Sequence, residues 1–157
     1  MPMISAFGAA QLDPSLYIPE LKVRRKLAVL DELVRIAAHA GVVREPEVLC
    51  ASLNVRERLF GTGIGKGVAV PHLRSIAVIE PRLVIARSRR GLVWGAGDGA
   101  AVQLVLLVLS PAEAGEEAHL EFVARVAALG RLQRNRTRLI EAREFPELAA
   151  VFGEGAP

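Results

Sequence analysis

Between Lys22 and Gly41, in KVRRKLAVLDELVRIAAHAG, apolar residues recur at three- and four-residue spacing. Leu27, Leu30, Val34 and Ala37 form one stripe with Leu33 beside it, which predicts an amphipathic helix ended by Gly41. His39 falls in its last turn, where the helix dipole favours a cation, and reads as a helix residue rather than a catalyst. EPEVLCASLNVRER predicts a second helix, with Pro46 suited to its first turn. The pattern then shortens. VAVP, RLVIARS, GLVW and VQLVLLVL are strand-sized apolar runs, with RSRRG expected as a turn between the second and third and GAGDGA as a turn before the fourth. VQLVLLVL lacks polar alternation, so both its faces are expected to be covered, as in an interior strand. HLEFVARVAALGRLQ returns to helical spacing behind an acidic start, and NRTRLIEA and FPELAAVFG read as short helices. The order of helices, strands and helices predicts an α/β fold. The expected architecture is a single-domain sandwich with a mixed β-sheet flanked by helices on both faces.

Composition narrows the class. The 157 residues are 52% hydrophobic and 24% charged, which suits one globular domain with its own core. Residues 1–11 are expected to be a flexible N-terminal segment, residues 12–153 the domain, and GEGAP a frayed tail. No apolar run reaches membrane-span length, and the N-terminus lacks the basic start and long apolar core of a signal peptide. Cys50 is the only cysteine, which excludes a disulfide scaffold and suits a reducing cytoplasm. The three scattered histidines and one cysteine have no structural-zinc spacing, and neither a metal nor a cofactor is expected. The net charge is +3, and seventeen of the twenty basic residues are arginine. Arg131, Arg134, Arg136, Arg138 and Arg143 crowd together, but aromatics are 4%, too few for base-stacking platforms. The cluster reads as a solvated helix face, not a nucleic-acid surface.

The chemistry concentrates in GTGIGKGVAVPH, residues 61–72. A Walker loop would require a glycine at the position of Phe60 and a hydroxyl residue at that of Gly67. A Rossmann loop would require a strand before and a helix after, and here the order is reversed. The glycines are instead expected to serve His72. Pro71 stiffens the chain just before it. The glycines clear space beside the imidazole and leave backbone N–H groups free for an anion. Neutral imidazole is a competent nucleophile near pH 7. On the residues alone, a turn histidine and a phosphate-accepting histidine stand level.

Arg56-Glu57, followed by Thr62-Gly63-Ile64-Gly65-Lys66-Gly67-Val68-Ala69-Val70-Pro71-His72, resembles the active-site signature of fructose/mannitol-type enzyme IIA domains of the bacterial phosphoenolpyruvate-dependent phosphotransferase system. The arginine stands sixteen positions before the histidine, as in that family. His119-Leu120, forty-seven positions after His72, is similar to a second family histidine in the nitrogen-regulatory branch, and Asp98-Gly99 before VQLVLLVLSP also fits. The resemblance covers residues 12–150. It implies a phosphocarrier in which His72 takes a phosphoryl group through Nε2 from the phosphohistidine of an HPr-type carrier. Arg56 would neutralise the phosphoryl oxygens. His119, its proton affinity lowered at a helix start, would orient His72 or donate to the phosphoryl group. Lys66 and Arg58 would be solvated, helping at most to attract an acidic or phosphorylated partner. The implied role is regulatory, acting on a transporter or kinase. The other roles compatible with the resemblance are a sugar-transport subunit passing phosphate to a IIB domain and an enzyme IIA-like binding module without catalysis. Two departures stand out. Leu73 follows the histidine where the family has a small residue, and is expected to narrow the approach of HPr or to contact a different donor. Phe60-Gly61-Thr62 replaces Gly-Ser-Thr.

Overall fold

Val102–Pro111 forms β6, and every strand but the two outermost pairs with it. The computed structural model describes residues 11–95 and 97–153. Within them a six-stranded mixed sheet contains β1 (Tyr17–Ile18), β2 (Gly63–Gly65), β3 (Val68–Ala69), β4 (His72–Ser75), β5 (Arg82–Leu92) and β6. β5 lies antiparallel to β6 on one side, with Val84 opposite Leu107. β3 and β4 both lie parallel to β6 on its other side, with Val68 opposite Leu104 and His72 opposite Val108. They are two pieces of one line, interrupted at Val70-Pro71. Proline has no N–H to give a ladder, but its carbonyl still accepts from the Val108 N–H at 2.9 Å. His72 is therefore the first residue after a fixed break in the sheet.

The expected interior strand is thus observed. From β6, Val105, Leu107 and Leu109 pack against α1 (Lys26–His39) and α2 (Pro46–Leu59). Leu104, Leu106 and Val108 pack against α3 (Glu116–Arg131), α4 (Gln133–Glu141) and α5 (Phe145–Gly153). All six are fully buried; each such side chain contributes about 1.5–3 kcal/mol of hydrophobic stabilisation. The apolar run lacks alternation because both sheet faces meet helices.

Three expectations are corrected. RSRRG is not a turn: β5 runs unbroken from Arg82 to Leu92, and its register against β6 shifts between Arg87 and Leu92. Gly91 has φ +87°, and a Cβ there would lie 2.8 Å from Ala101 Cβ, so glycine lets the strand absorb the irregularity as a bulge. GLVW is accordingly the end of β5 and an isolated bridge from Val93 to Arg25, not a separate strand. On α1, Leu30, Leu33, Val34 and Ala37 are buried as expected, and only Leu27, 39% exposed, is corrected, with Val29 buried instead. The flexible segment expected over residues 1–11 lies, but for Gln11, outside the described residues, as does the tail beyond Gly153.

Arg87 is a buried side chain on the α4 side of β5. Its Nε donates to the Pro19 carbonyl at 3.0 Å, and its Nη1 lies 2.7–3.0 Å from the carbonyls of Leu139, Ile140 and Ala142. A cation is favourable at the C-terminal end of a helix, where carbonyls lack intrahelical partners. Arg87 thus ties the end of α4 to the sheet.

Candidate active site

The sheet break presents His72 with a defined tautomer. Its Nδ1 lies 2.9 Å from the Val70 carbonyl, and its Nε2 lies 2.9 Å from Arg56 Nη2. A carbonyl can only accept and a guanidinium can only donate, so Nδ1 carries the proton and Nε2 the lone pair. Burial lowers the proton affinity of His72. The Val70 hydrogen bond opposes this, Arg56 adds to it, and Glu57 opposes it. The ring is therefore neutral near pH 7, with its nucleophilic nitrogen aimed at a cation.

His119 comes from the other side. It lies in the first turns of α3, is buried, and has its ring centroid 5.6 Å from that of His72. Its Nδ1 is 2.8 Å from Ser110 Oγ. Its pKa is pushed down to about 4, chiefly by burial and then by the neighbouring His72, Arg74 and Arg56. The lowering expected at a helix start is present, but desolvation and adjacent cations produce it. Beside the His72 ring opens a cavity of about 360 Å³ lined by Arg56, Gly61, Thr62, His72, Leu120 and Arg131, among others, with His119 behind its wall. Arg56 Nε is buried without a partner in this setting.

Adjacent residues of α2 divide the work. Arg56 faces the cavity. Glu57, buried, accepts from Thr62 N–H at 2.9 Å and Thr62 Oγ1 at 2.6 Å, and pairs with Lys26 Nζ at 3.0 Å. This carboxylate fastens the glycine segment to α2. The segment is a hairpin rather than an open loop. Gly63 and Gly65 stand in register with Ala69 and Val68, and Lys66-Gly67 turns the chain with both φ angles positive, +61° and +83°. Positive φ at both central residues is the geometry of a tight hairpin turn. Asp98 Oδ2 accepts the Lys66 N–H at 2.9 Å. Two backbone N–H groups of the loop, those of Thr62 and Lys66, are committed to Glu57 and Asp98. Gly65 and Gly67 provide the turn, and a Cβ on either would meet Asp98 or the Ala101 carbonyl rather than His72.

The structure thus brings His72, Arg56 and His119 together. Lys66 and Arg58 are exposed, and so is His39. Leu73 points to the opposite sheet face from His72. It packs against the α1–α2 core and lines an apolar groove with Val55 and Leu59 that adjoins the cavity at Arg56 and Phe60. Leu73 does not line the cavity beside His72. Sequence reading missed Ser110, the Glu57–Thr62 clamp, and Arg74, whose Nη1 donates to the Ala112 carbonyl at 2.8 Å. Ser110 had one legible trace, its position two residues beyond Val108 on β6. Among the described residues, no group of three or more His, Cys, Asp or Glu is placed to hold a metal.

The sequence matches, over residues 11–154, the family described as phosphoenolpyruvate-dependent sugar phosphotransferase system, EIIA 2. A nitrogen regulatory protein of Bradyrhizobium diazoefficiens is 35% identical over 139 residues, covering 88% of this chain and 90% of that protein. A PTS system fructose-specific EIIABC component of Bacillus subtilis is 30% identical over 134 residues, 85% of this chain, and the match spans only 21% of that longer protein. The crystal structure of nitrogen regulatory protein IIA-Ntr from Neisseria meningitidis superposes with a TM-score of 0.79 at 26% identity, covering 88% of this chain and 93% of that one. With nearly the whole chain matched in sequence and in fold, the protein belongs to the EIIA type 2 family of phosphocarrier domains of the phosphoenolpyruvate-dependent phosphotransferase system.

Proposed function

We propose that His72 is the phosphorylated residue, that it accepts its phosphoryl group from the phosphohistidine of an HPr-type carrier, and that the protein serves a regulatory, nitrogen-type role in the cytoplasm. One observation carries the reading: Nδ1 of His72 is held by a carbonyl while Nε2 presents its lone pair to Arg56. In the transfer, the Nε2 lone pair attacks the donor phosphorus. The N–P bond of the donor breaks, and its electron pair returns to the donor imidazole. The His72 proton stays on Nδ1, so the ring becomes cationic and the Val70 carbonyl stabilises it. Arg56 turns from the consumed lone pair to the phosphoryl oxygens, where its unpartnered Nε also finds an acceptor. Catalysis of this kind rests on positioning and charge stabilisation. His119, neutral, donates to the phosphoryl group.

Exposed Phe60 and Leu120 line the cavity, and exposed Val55 and Leu59 line the adjoining groove, which suits docking by a protein rather than entry of a sugar. The regulatory role is supported by the Bradyrhizobium and Neisseria proteins, both named nitrogen regulatory. The fructose-specific relative supports a second role, delivery of phosphate to a IIB domain. A binding module without catalysis is disfavoured by the intact His72, Arg56 and His119 geometry.

The test is incubation with phosphoenolpyruvate, enzyme I and HPr-type carriers, read by intact mass. One phosphate is expected, labile in acid and stable in base, and absent from His72→Ala. A base-labile phosphate, or one retained in His72→Ala, would refute the assignment.

A further inference from the structure

Ser110 is a buried hydroxyl beside the reacting groups. In the β4–β6 ladder, His72 is opposite Val108 and Arg74 opposite Ser110. Side chains two residues apart on a strand leave the same face, so Ser110 emerges beside His72 on the side covered by α3. There its Oγ lies 2.8 Å from Nδ1 of His119, and both residues are at most 5% exposed. The hydroxyl can donate or accept, and the choice decides which nitrogen of His119 carries the proton. A buried hydroxyl needs an acceptor for its own proton. Among the described residues, the structure shows no acceptor for Ser110 Oγ other than His119 Nδ1.

We propose that Ser110 is a positioning residue for phosphoryl transfer: it donates its O–H to Nδ1 of His119 and thereby fixes the tautomer protonated at Nε2. With Nδ1 engaged, Nε2 is the nitrogen left to meet a group carried on His72. Protonated, it is a donor to a phosphoryl oxygen; bare, it would set a lone pair against that oxygen. Ser110 therefore decides whether His119 stabilises or repels the phosphoryl group. This inference rests on the assignment of His72 as the phosphate acceptor, but its first test does not.

That test is ¹⁵N NMR of the histidine side chains in the unphosphorylated protein at neutral pH. The expected result is His119 protonated at Nε2 with a bare, hydrogen-bonded Nδ1 whose resonance moves in Ser110→Ala. His119 protonated at Nδ1 in the wild type, or an Nδ1 resonance unmoved by Ser110→Ala, overturns the proposal. The second arm is the rate of phosphate acceptance from HPr. Ser110→Ala is expected to slow it about tenfold, the equivalent of one hydrogen bond of roughly 1.4 kcal/mol, and Ser110→Thr, which keeps the hydroxyl, to restore it. An unchanged rate in Ser110→Ala, or no rescue by Thr in a folded variant, overturns it as well. If the wild type takes no phosphate, the parent assignment fails, and the NMR arm still decides the tautomer.

Discussion

Arg87 and Arg56 are both arginines drawn into the body of the protein, and they differ in what their donors meet. Arg87 reaches carbonyls of Pro19, Leu139, Ile140 and Ala142, and its guanidinium also lies 5.5 Å from the Tyr17 ring. Arg56 meets one nitrogen lone pair and keeps a buried Nε without a partner. A buried donor left unmet costs about 1–3 kcal/mol. A fold tolerates that cost where the group awaits a ligand. Burial of a cation thus does not by itself mark structure or function; what its donors meet separates the two, and the role proposed for Arg56 rests on its unmet Nε beside His72.

Exchanging the two losses should separate them. Arg56→Ala is expected to slow phosphorylation of His72 by about 10²–10³ while shifting stability by less than about 1 kcal/mol. Transfer kinetics and urea unfolding on the same variant check both halves. Arg87→Ala should do the reverse. Stability is expected to fall by about 2–4 kcal/mol, because the end of α4 loses the donor that three carbonyls share, and the folded fraction should still accept phosphate at the wild-type rate. A fast Arg56 variant, or an Arg87 variant with wild-type stability, would erase the distinction.

The fold shows where sequence reading succeeds. The unalternating run from Val102 to Leu109 announced its two-sided burial because hydrophobic pattern and burial have one cause. Arg56, His72 and His119 were legible only as a spaced set, since no pattern of local hydrophobicity points to them. The stretch Arg87 to Gly91 misled because clustered charge and glycine are also the chemistry of a turn. Arg87 is buried and carbonyl-bonded, Arg89 and Arg90 are solvated, and Gly91 absorbs a bulge, all within one strand. Ser110 and the Glu57–Thr62 clamp stayed hidden for another reason. The Ser110–His119 contact depends on how α3 docks on β6, and the clamp on how the chain returns from α2 into the hairpin, and neither is encoded in local spacing.

A smaller effect tests the buried histidine. The native pKa of His119 is about 4, against about 6.5 for an unfolded histidine. Between these values the unfolded chain binds a proton that the native state refuses. Stability should therefore fall as pH drops through that window, by up to ~1.4 kcal/mol per pH unit, and level off below it. His119→Gln should lack this contribution, so its pH-stability curve should be flatter from pH 6.5 to 4. Parallel curves would show that His119 titrates normally. The smallest effect is expected at Leu73, which faces away from the cavity. Leu73→Ala should change the acceptance rate by less than about tenfold, or 1.4 kcal/mol. A larger change would place the Val55–Leu59–Phe60 groove in the path of the donor.

The central claim concerns a single atom. ³¹P–¹H and ¹⁵N correlation NMR of the protein phosphorylated by HPr identifies which nitrogen bears the phosphorus. One N–P bond is expected, at Nε2 of His72, with the proton retained on Nδ1. Phosphorus on Nδ1 of His72, on His119, or on an oxygen would contradict it.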